Sequence, residues 1–141
     1  MDKMLLQSLR TNIQRGSLAP GDLPTFFDYL AWLGDHDEEL QEEVEGWHGS
    51  IQFRLEGLGE YWLEVQDGHF RTGEGAITGA SVQLRLSSSD AVRIFTGALT
   101  AEDAFAAGAL NIEGDLTAAL RLQTWIEIAV ERLLEQTLSE D

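Results

Sequence analysis

A chain of 141 residues has the size of one domain and can bury a core without covalent cross-links. It has no cysteine, which excludes disulfides and thiolate metal sites, and no apolar run approaches the ~20 residues that span a membrane. Its 25 acidic and 9 basic residues give a formal net charge of -16, which repels phosphate backbones and anionic membrane surfaces. We therefore expect a cytoplasmic protein that binds no nucleic acid and does not insert stably into membranes.

The first part of the chain predicts two helices. Apolar residues recur at helical spacing from Asp2 to Arg15. A second helix is expected from about Asp22, with Pro24 in its first turn, and Gly34 either ends or kinks it. Together with the segment that follows, these helices form a predicted N-terminal helical extension over residues 1–46.

The segment Asp35–Glu45 is strongly acidic, with seven carboxylates in eleven residues. Its two apolar residues, Leu40 and Val44, are four apart and therefore share one helical face. This pattern is typical of a solvated helix with a narrow apolar seam. A metal site or a partner-binding site is the alternative, although the His36-Asp37-Glu38-Glu39 stretch has no firm ligand spacing.

From Gly49 the apolar period changes to two, which predicts strands. The Asp67-Gly68 pair indicates a two-residue hairpin, because a type I′ turn needs two residues at positive φ. The four expected strands are centred on Ile51–Leu55, Tyr61–Val65, His69–Thr72 and Val82–Leu86. A helix is expected over Asp90–Thr96.

The segment 97–123 predicts a short helix, a strand and a long helix joined by tight turns. Thr100 is placed to cap the short helix and Gly108 to end it. Leu110 and Ile112 alternate with polar residues as in a half-buried fifth strand, and Asp115 can cap the long helix, Leu116–Leu138. More than half the circumference of that helix is apolar, whereas a surface helix needs only a ~100° stripe. The excess must face a second layer, a second copy in a homodimer, or a ligand.

The same segment resembles the C-terminal signature of sterol carrier protein 2 (SCP-2) domains. The matching pattern is Gly97-x-Leu99, Ala104-Phe105, Gly108-x-Leu110-x-Ile112-x-Gly114-Asp115-Leu116 and Ala119-Leu120-x-Leu122. From about Trp47 onward the order of elements also fits, over roughly two-thirds of the chain. The resemblance implies an α+β fold in which helices cover a five-stranded, mostly antiparallel sheet around an apolar tunnel. Residues 47–141 would form this SCP2-like lipid-binding domain.

The resemblance also implies which residues would line the tunnel. Leu63 is the alternative to Trp62, because the strand register decides which of the two points inward. Ala106 and Ala107 stand where relatives often have a bulky aromatic and a polar residue, which implies a wider cavity. The expected ligand-binding residues are Trp62, Leu84, Phe95, Leu99, Phe105, Ala106, Ile112, Leu120, Trp125 and Ile128.

No arrangement of residues predicts catalysis. The glycines from Gly73 to Gly79 do not have dinucleotide-binding spacing, the three histidines are scattered, and no serine lies in a nucleophile elbow. We therefore expect a non-catalytic protein without cofactor or metal that binds or transfers an apolar small molecule or lipid, such as a fatty acyl chain, a sterol-like lipid or an isoprenoid. The alternatives are a protein-interaction or oligomerisation module with a closed SCP2-like fold, and an accessory factor that presents lipid intermediates to enzymes.

Overall fold

The computed structural model describes residues 2–138, with side chains through residue 135. Every helix and strand expected from the sequence is present. Residue 1 of the predicted N-terminal extension and residues 139–141 of the predicted SCP2-like domain lie outside the described residues. The helices are α1 (Lys3–Gln14), α2 (Leu23–Gly34, after a 3-10 turn at Pro20–Asp22), α3 (Glu38–Glu43), α4 (Ser88–Phe95), α5 (Ala101–Ala106) and α6 (Leu116–Leu138). The strands are β1 (Gly49–Glu56), β2 (Gly59–Gln66), β3 (His69–Glu74), β4 (Val82–Ser87) and β5 (Asn111–Gly114).

The five strands form one sheet in the order β3-β2-β1-β4-β5. Three of the four pairings are antiparallel, and β1 pairs with β4 in parallel. The predicted α+β fold with a mostly antiparallel sheet is therefore confirmed. At the hairpin between β2 and β3, Asp67 has φ 52° and Gly68 has φ 78°, as the predicted type I′ turn requires.

The inner face of the sheet is apolar because odd-numbered residues of β1 and β2 and even-numbered residues of β4 point to the same side. Ile51 of β1 lies between Leu63 of β2 and Val82 of β4, and all three are almost completely buried. Helices α2, α4 and α6 cover this face. The core of the protein therefore lies between one sheet and one layer of helices.

The outer face of the sheet is crossed by the loop 75–81, which connects β3 to β4. Gln52 is 2 % exposed although it points outward, because this loop covers it. Its amide nitrogen donates to the carbonyl oxygens of Tyr61 and Gly75, both at 3.0 Å, and its Oε1 accepts from the Ile77 amide at 2.8 Å. One buried side chain thus holds the crossing loop against the sheet.

Helix α2 lies at the centre of the helical layer. Its Phe27 ring is 4.7 Å from the Phe53 ring of β1, and the Tyr29 hydroxyl donates to the carbonyl oxygen of Ala129 on α6 at 2.9 Å. At its end, Gly34 packs so closely on the Phe70 ring of β3 that a Cβ atom would lie 2.2 Å from it. This helix, within the predicted extension 1–46, is therefore part of the main core. The division of the chain at residue 46 stays a prediction.

Candidate functional site

Four of the expected ligand-binding residues meet in the core between the sheet and the helices. Leu84 of β4, Phe95 of α4, and Trp125 and Ile128 of α6 are each 6 % exposed or less. They belong to one continuous apolar cluster that also includes α2. Residues far apart in sequence thus converge on one interior region, although their role in binding a ligand stays a prediction.

Aromatic rings form one part of this region, where α2 and α4 meet the sheet. The Phe95 ring lies 5.0 Å from Phe26 and 5.6 Å from Phe27, both in edge-to-face orientation. Phe27 also lies 5.8 Å from Tyr61 of β2. Such contacts combine large apolar area with preferred ring geometry. This part of the interior is therefore built from packed aromatic rings.

A second aromatic group surrounds Trp125 on α6. Its ring is completely buried and lies 5.4 Å from Trp47 and 5.5 Å from Phe70, in edge-to-face contacts. The guanidinium of Arg121 lies 5.5 Å from the Trp47 ring on the side of α6. A cation stacked on an aromatic ring is favourable where both are shielded from water. The Trp125 indole N–H is buried and has no hydrogen-bond partner among the residues that the structure describes.

Two further expected residues lie between the interior and the surface. Leu99, before α5, and Ile112, in β5, are half-buried and pack against the core. Ile112 lies opposite Leu84 in the sheet and therefore points to the inner face. These two residues connect the interior cluster to the segment α5-β5-α6.

The remaining residues of that segment face solvent. Phe105 is 55 % and Leu120 is 56 % exposed, and Ala106 is also exposed. Leu116, one turn before Leu120 on the same face of α6, is 54 % exposed. We define Phe105, Leu116 and Leu120 as the exposed apolar group. Large apolar side chains that remain exposed can mark a binding surface.

Trp62 lies on the other side of the sheet. It alternates with Leu63, which is 1 % exposed and points into the core, so Trp62 points outward. There its ring covers Gly73, where a Cβ atom would be 2.5 Å away, and Arg71 lies 5.8 Å from the ring centre. The expectation that Trp62 and Leu84 line the same cavity is therefore wrong, because the register places them on opposite faces.

A concave region on the outer face of the sheet has charged side chains in its lining. It has a volume of about 290 Å³, is broadly open to solvent, and has two arginines and two glutamates among its lining residues. The Arg54 guanidinium lies 3.4 Å from the Glu60 carboxylate there. A lining with four charged side chains does not suit an apolar ligand.

Polar contacts hold α3 and α6 together at the edge of the core. Arg132 donates from Nε to Asp37 Oδ2 at 2.7 Å and from Nη2 to Glu39. Burial acts to raise the pKa of Asp37. Hydrogen bonds from Arg132 and from the amides of Leu40 and Glu39, together with the guanidinium charge, outweigh this effect and lower the pKa below its ordinary value. The pKa of Tyr29 is raised, chiefly by burial and then by the Asp37 charge.

Sequence reasoning missed the contribution of α2 and the residues around Trp125. Phe26, Phe27 and Tyr29 occupy the middle of the interior, and Trp47 and Phe70 contact Trp125 directly. The apolar excess that singled out α6 is also present in α2, which has eight buried residues among twelve. The same argument, applied to α2, would have placed it in the core.

Within residues 2–138, no group of three or more His, Cys, Asp or Glu residues is arranged to hold a metal ion. No helix of that part of the chain is long and apolar enough to cross a membrane.

A mixed sheet with one face covered by helices over an apolar interior defines the protein as an SCP2-like α+β domain. The sequence model of the SCP-2 sterol transfer family matches residues 30–127, which is well over half of the chain. The chain therefore belongs to the SCP-2 sterol transfer family. This membership supports lipid binding or transfer as its activity.

Individual proteins are similar to this chain. Hydroxysteroid dehydrogenase-like protein 2 from Xenopus tropicalis is 35 % identical over 86 residues, which are 59 % of this chain and 21 % of that protein. Sterol carrier protein 2 from Yarrowia lipolytica, in its apo form, matches with a TM-score of 0.57 and 20 % identity, over 73 % of this chain and 88 % of that one. The sec-alkylsulfatase Pisa1 from Pseudomonas sp. matches with a TM-score of 0.60 and 20 % identity, over 79 % of this chain and 16 % of that one.

Two of these comparisons concern larger proteins. This chain spans about a fifth of the dehydrogenase-like protein and less of the sulfatase. At 20 % identity, the structural matches show the fold alone.

Proposed function

We propose that this protein binds and carries an apolar molecule between the inner face of its sheet and the helices, without catalysing a reaction on it. The ligand class is a fatty acyl chain, a sterol-like lipid or an isoprenoid. The observation that carries the proposal is the interior itself, where Leu84, Phe95 and Ile128 from three elements converge within a chain of the SCP-2 family. The driving force is removal of apolar surface from water.

The magnitude of this driving force suits a carrier. Burial contributes ~0.8 kcal/mol per methylene, so ten methylenes contribute roughly 8 kcal/mol before ordering costs. A free energy of this size corresponds to about micromolar binding. A carrier with this affinity can hold its ligand and also release it.

The exposed apolar group indicates where the ligand enters. Phe105 and Leu120 face solvent, and Leu99 and Ile112 of the same segment are half-buried and pack against the core. Apolar side chains therefore extend from the surface to the core along the segment α5-β5-α6. We propose that the ligand passes here, with exposed Ala106 leaving room beside Phe105.

Native mass spectrometry of the freshly purified protein, followed by displacement of a fluorescent fatty acid, tests the proposal. We expect a co-purified apolar molecule and a displacement constant near micromolar. The double variant Phe105→Glu/Leu120→Glu places charges on the entry route and should weaken displacement at least about tenfold. The control Met4→Glu/Leu5→Glu introduces the same charges at exposed apolar positions of α1, 76 % and 45 % exposed, and should bind as wild type does. Absence of bound lipid together with absence of displacement would refute the carrier function.

A partner-binding function is the second candidate, and the charge of the segment 94–120 favours it. This segment has no lysine or arginine, and its four carboxylates, Glu102, Asp103, Glu113 and Asp115, are all exposed. Strand β5 is at the edge of the sheet, and edge strands can pair with another chain. Two copies of this segment would repel each other, so a partner with basic and apolar residues is favoured over a homodimer. Light scattering at low and high salt tests self-association, and titration with basic amphipathic peptides tests the partner.

The accessory role is a version of the carrier function in which an enzyme takes up the bound lipid. It uses the same interior region and the same exposed apolar group. We propose that the protein acts in this way in the cytoplasm, with the catalytic groups on the receiving enzyme. Transfer from the loaded protein to acceptor vesicles, measured with and without a candidate enzyme, separates presentation from passive release.

A further inference from the structure

Large apolar side chains stay exposed in two segments of the part of the chain whose side chains the structure describes. One is the segment 94–120, which contains the exposed apolar group. The other is the first turn of α1, where Met4 is 76 % and Leu5 is 45 % exposed. Both segments are therefore candidates for contact with another molecule.

The two segments carry opposite charge. Residues 3–21 contain three basic residues, Lys3, Arg10 and Arg15, and no aspartate or glutamate. The segment 94–120 contains four exposed carboxylates and no lysine or arginine. In a chain with a net charge of -16, residues 3–21 are thus a locally basic stretch. Opposite charges beside exposed apolar side chains are typical of two surfaces that are complementary to each other.

The outer face of α1 presents an apolar and a basic side chain together. Leu9 is 2 % exposed and packs into the core, so it marks the inner side of the helix. Met4 is five positions away, which is about 140° around the helix axis, and therefore lies on the outer side. Arg15 is exposed and follows Met4 by about three turns, so it lies on the same side, ~16 Å along the axis.

We propose that α1 of one copy of this chain docks on the segment 94–120 of a second copy. Met4 and Leu5 contact the exposed apolar group there, and Arg15 lies against the carboxylates of the segment. Two copies of the segment repel each other, and so do two copies of α1, so the favourable contact joins unlike faces. This inference rests on the partner-binding candidate rather than on the carrier function, and it names the partner as a second copy of the protein.

A contact between unlike faces leaves one face of each copy unused. Further copies can therefore add head to tail unless the arrangement closes into a ring. The net charge of -16 opposes the approach of two copies at long range. At about 0.15 M salt the Debye length is ~8 Å, so distant charges are screened while charges in direct contact still attract. We therefore expect association at this ionic strength.

Sedimentation equilibrium in about 0.15 M salt tests the proposal. The average mass of the wild-type protein should rise with concentration above the 15.6 kDa of one chain. Met4→Glu/Leu5→Glu disables one face and Phe105→Glu/Leu120→Glu disables the other, so each variant alone should keep the mass of one chain. An equimolar mixture of the two should reach twice that mass and no more, because each variant supplies the face that the other lacks.

A matched pair of charge reversals tests the electrostatic part of the contact. Arg15→Glu places a negative charge on the outer face of α1 and should weaken the association of the wild-type protein at least about threefold. Arg85→Glu makes the same change of net charge at an exposed arginine on the outer face of the sheet. It should leave the association within about twofold of wild type, because Arg85 is in neither docking face.

Each outcome decides the proposal. A wild-type protein that keeps the mass of one chain up to about 1 mM overturns the self-association, whereas binding of basic amphipathic peptides to it would leave the partner-binding candidate intact. Double variants that associate like the wild type, or a mixture that stays at the mass of one chain, show that these two faces do not pair. Displacement of the fluorescent fatty acid reports on the carrier function separately, since Met4→Glu/Leu5→Glu should bind the fatty acid as wild type does.

Discussion

The Asp37 carboxylate joins the acidic helix α3 to the long helix α6. Its Oδ1 caps α3 by accepting from the amides of Glu39 at 3.0 Å and Leu40 at 3.1 Å. Its Oδ2 accepts from Arg132 Nε at 2.7 Å, with the two side chains only 11 % and 26 % exposed. Substitution at this one position therefore tests both the helix cap and the connection between the helices.

The expected decrease in the free energy of unfolding of the Asp37 variants follows from these two contributions. Removing a helix cap costs ~1 kcal/mol, and a hydrogen bond between charged groups contributes ~1.5–3 kcal/mol. Asp37→Ala removes both the cap and the hydrogen bond to Arg132. It should lower the free energy of unfolding by about 3 kcal/mol, which corresponds to roughly 9 °C in melting temperature for a domain of this size. Asp37→Asn keeps an oxygen for the cap and removes the charge, so it should cost ~1–2 kcal/mol.

The pH dependence of stability is a second test of the Asp37 contacts. The pKa of Asp37 is lower in the folded protein than its ordinary value of 3.8, so the folded state favours the charged form. Its contribution is therefore fully present above about pH 4 and is lost as the pH falls through the lowered pKa. The difference in stability between wild type and Asp37→Asn should stay constant from pH 7 to 5 and shrink below pH 4.

Urea unfolding followed by circular dichroism, repeated between pH 7 and 3, measures these differences. Glu42→Gln is the control, since it removes the same charge from an exposed position of α3 and should stay within ~0.5 kcal/mol of wild type. An Asp37→Ala protein that melts within 2 °C of wild type at pH 7 would refute the reasoning. So would an Asp37→Asn difference that does not change below pH 4.

Three further substitutions probe the core and the outer face. Gly34→Ala places a Cβ atom against the Phe70 ring and should lower the free energy of unfolding by ~1–3 kcal/mol in urea unfolding. Gly21→Ala should be neutral, because among the described residues its Cβ would meet no atom within 4 Å beyond its chain neighbours. Tyr29→Phe removes a buried hydrogen bond and should cost ~1 kcal/mol at pH 7. Because the folded state raises the pKa of this phenol above its ordinary value of 10.0, wild type should lose stability as the pH rises above 10 and the Phe variant should not share that loss. Gln52→Ala should speed hydrogen exchange in the loop 75–81 without changing the exchange of the β2–β3 hairpin amides.

Local elements could be predicted from the sequence because their causes are local. The Thr100 hydroxyl accepts from the Asp103 amide at 3.0 Å, and Asp115 accepts from the Thr117 amide at 2.9 Å, as the capping pattern predicts. Gly108 ends its helix with φ 78°. Each of these features depends on residues fewer than five positions apart, so the sequence alone contains the information.

The placement of the candidate site could be predicted only in part. Leu84, Phe95 and Trp125 meet in the core, as the family resemblance implies. Phe105 and Leu120 are equally apolar but face solvent. Residue type and spacing do not distinguish the buried apolar residues from the exposed ones, because exposure depends on which elements pack against each helix.

The sequence by itself determined the order of elements and the turns and caps, since hydrophobic period and turn chemistry act over a few residues. The fold class was indicated by the resemblance of the sequence to SCP-2 domains. Only the tertiary structure decided that the Trp62 side chain lies on the outer face of the sheet, that α2 is part of the main core, and that Arg132 meets Asp37 across 95 positions of the chain. These outcomes depend on strand register and on the docking of distant elements. The free energy of that docking comes from the whole core and cannot be assigned to any one segment.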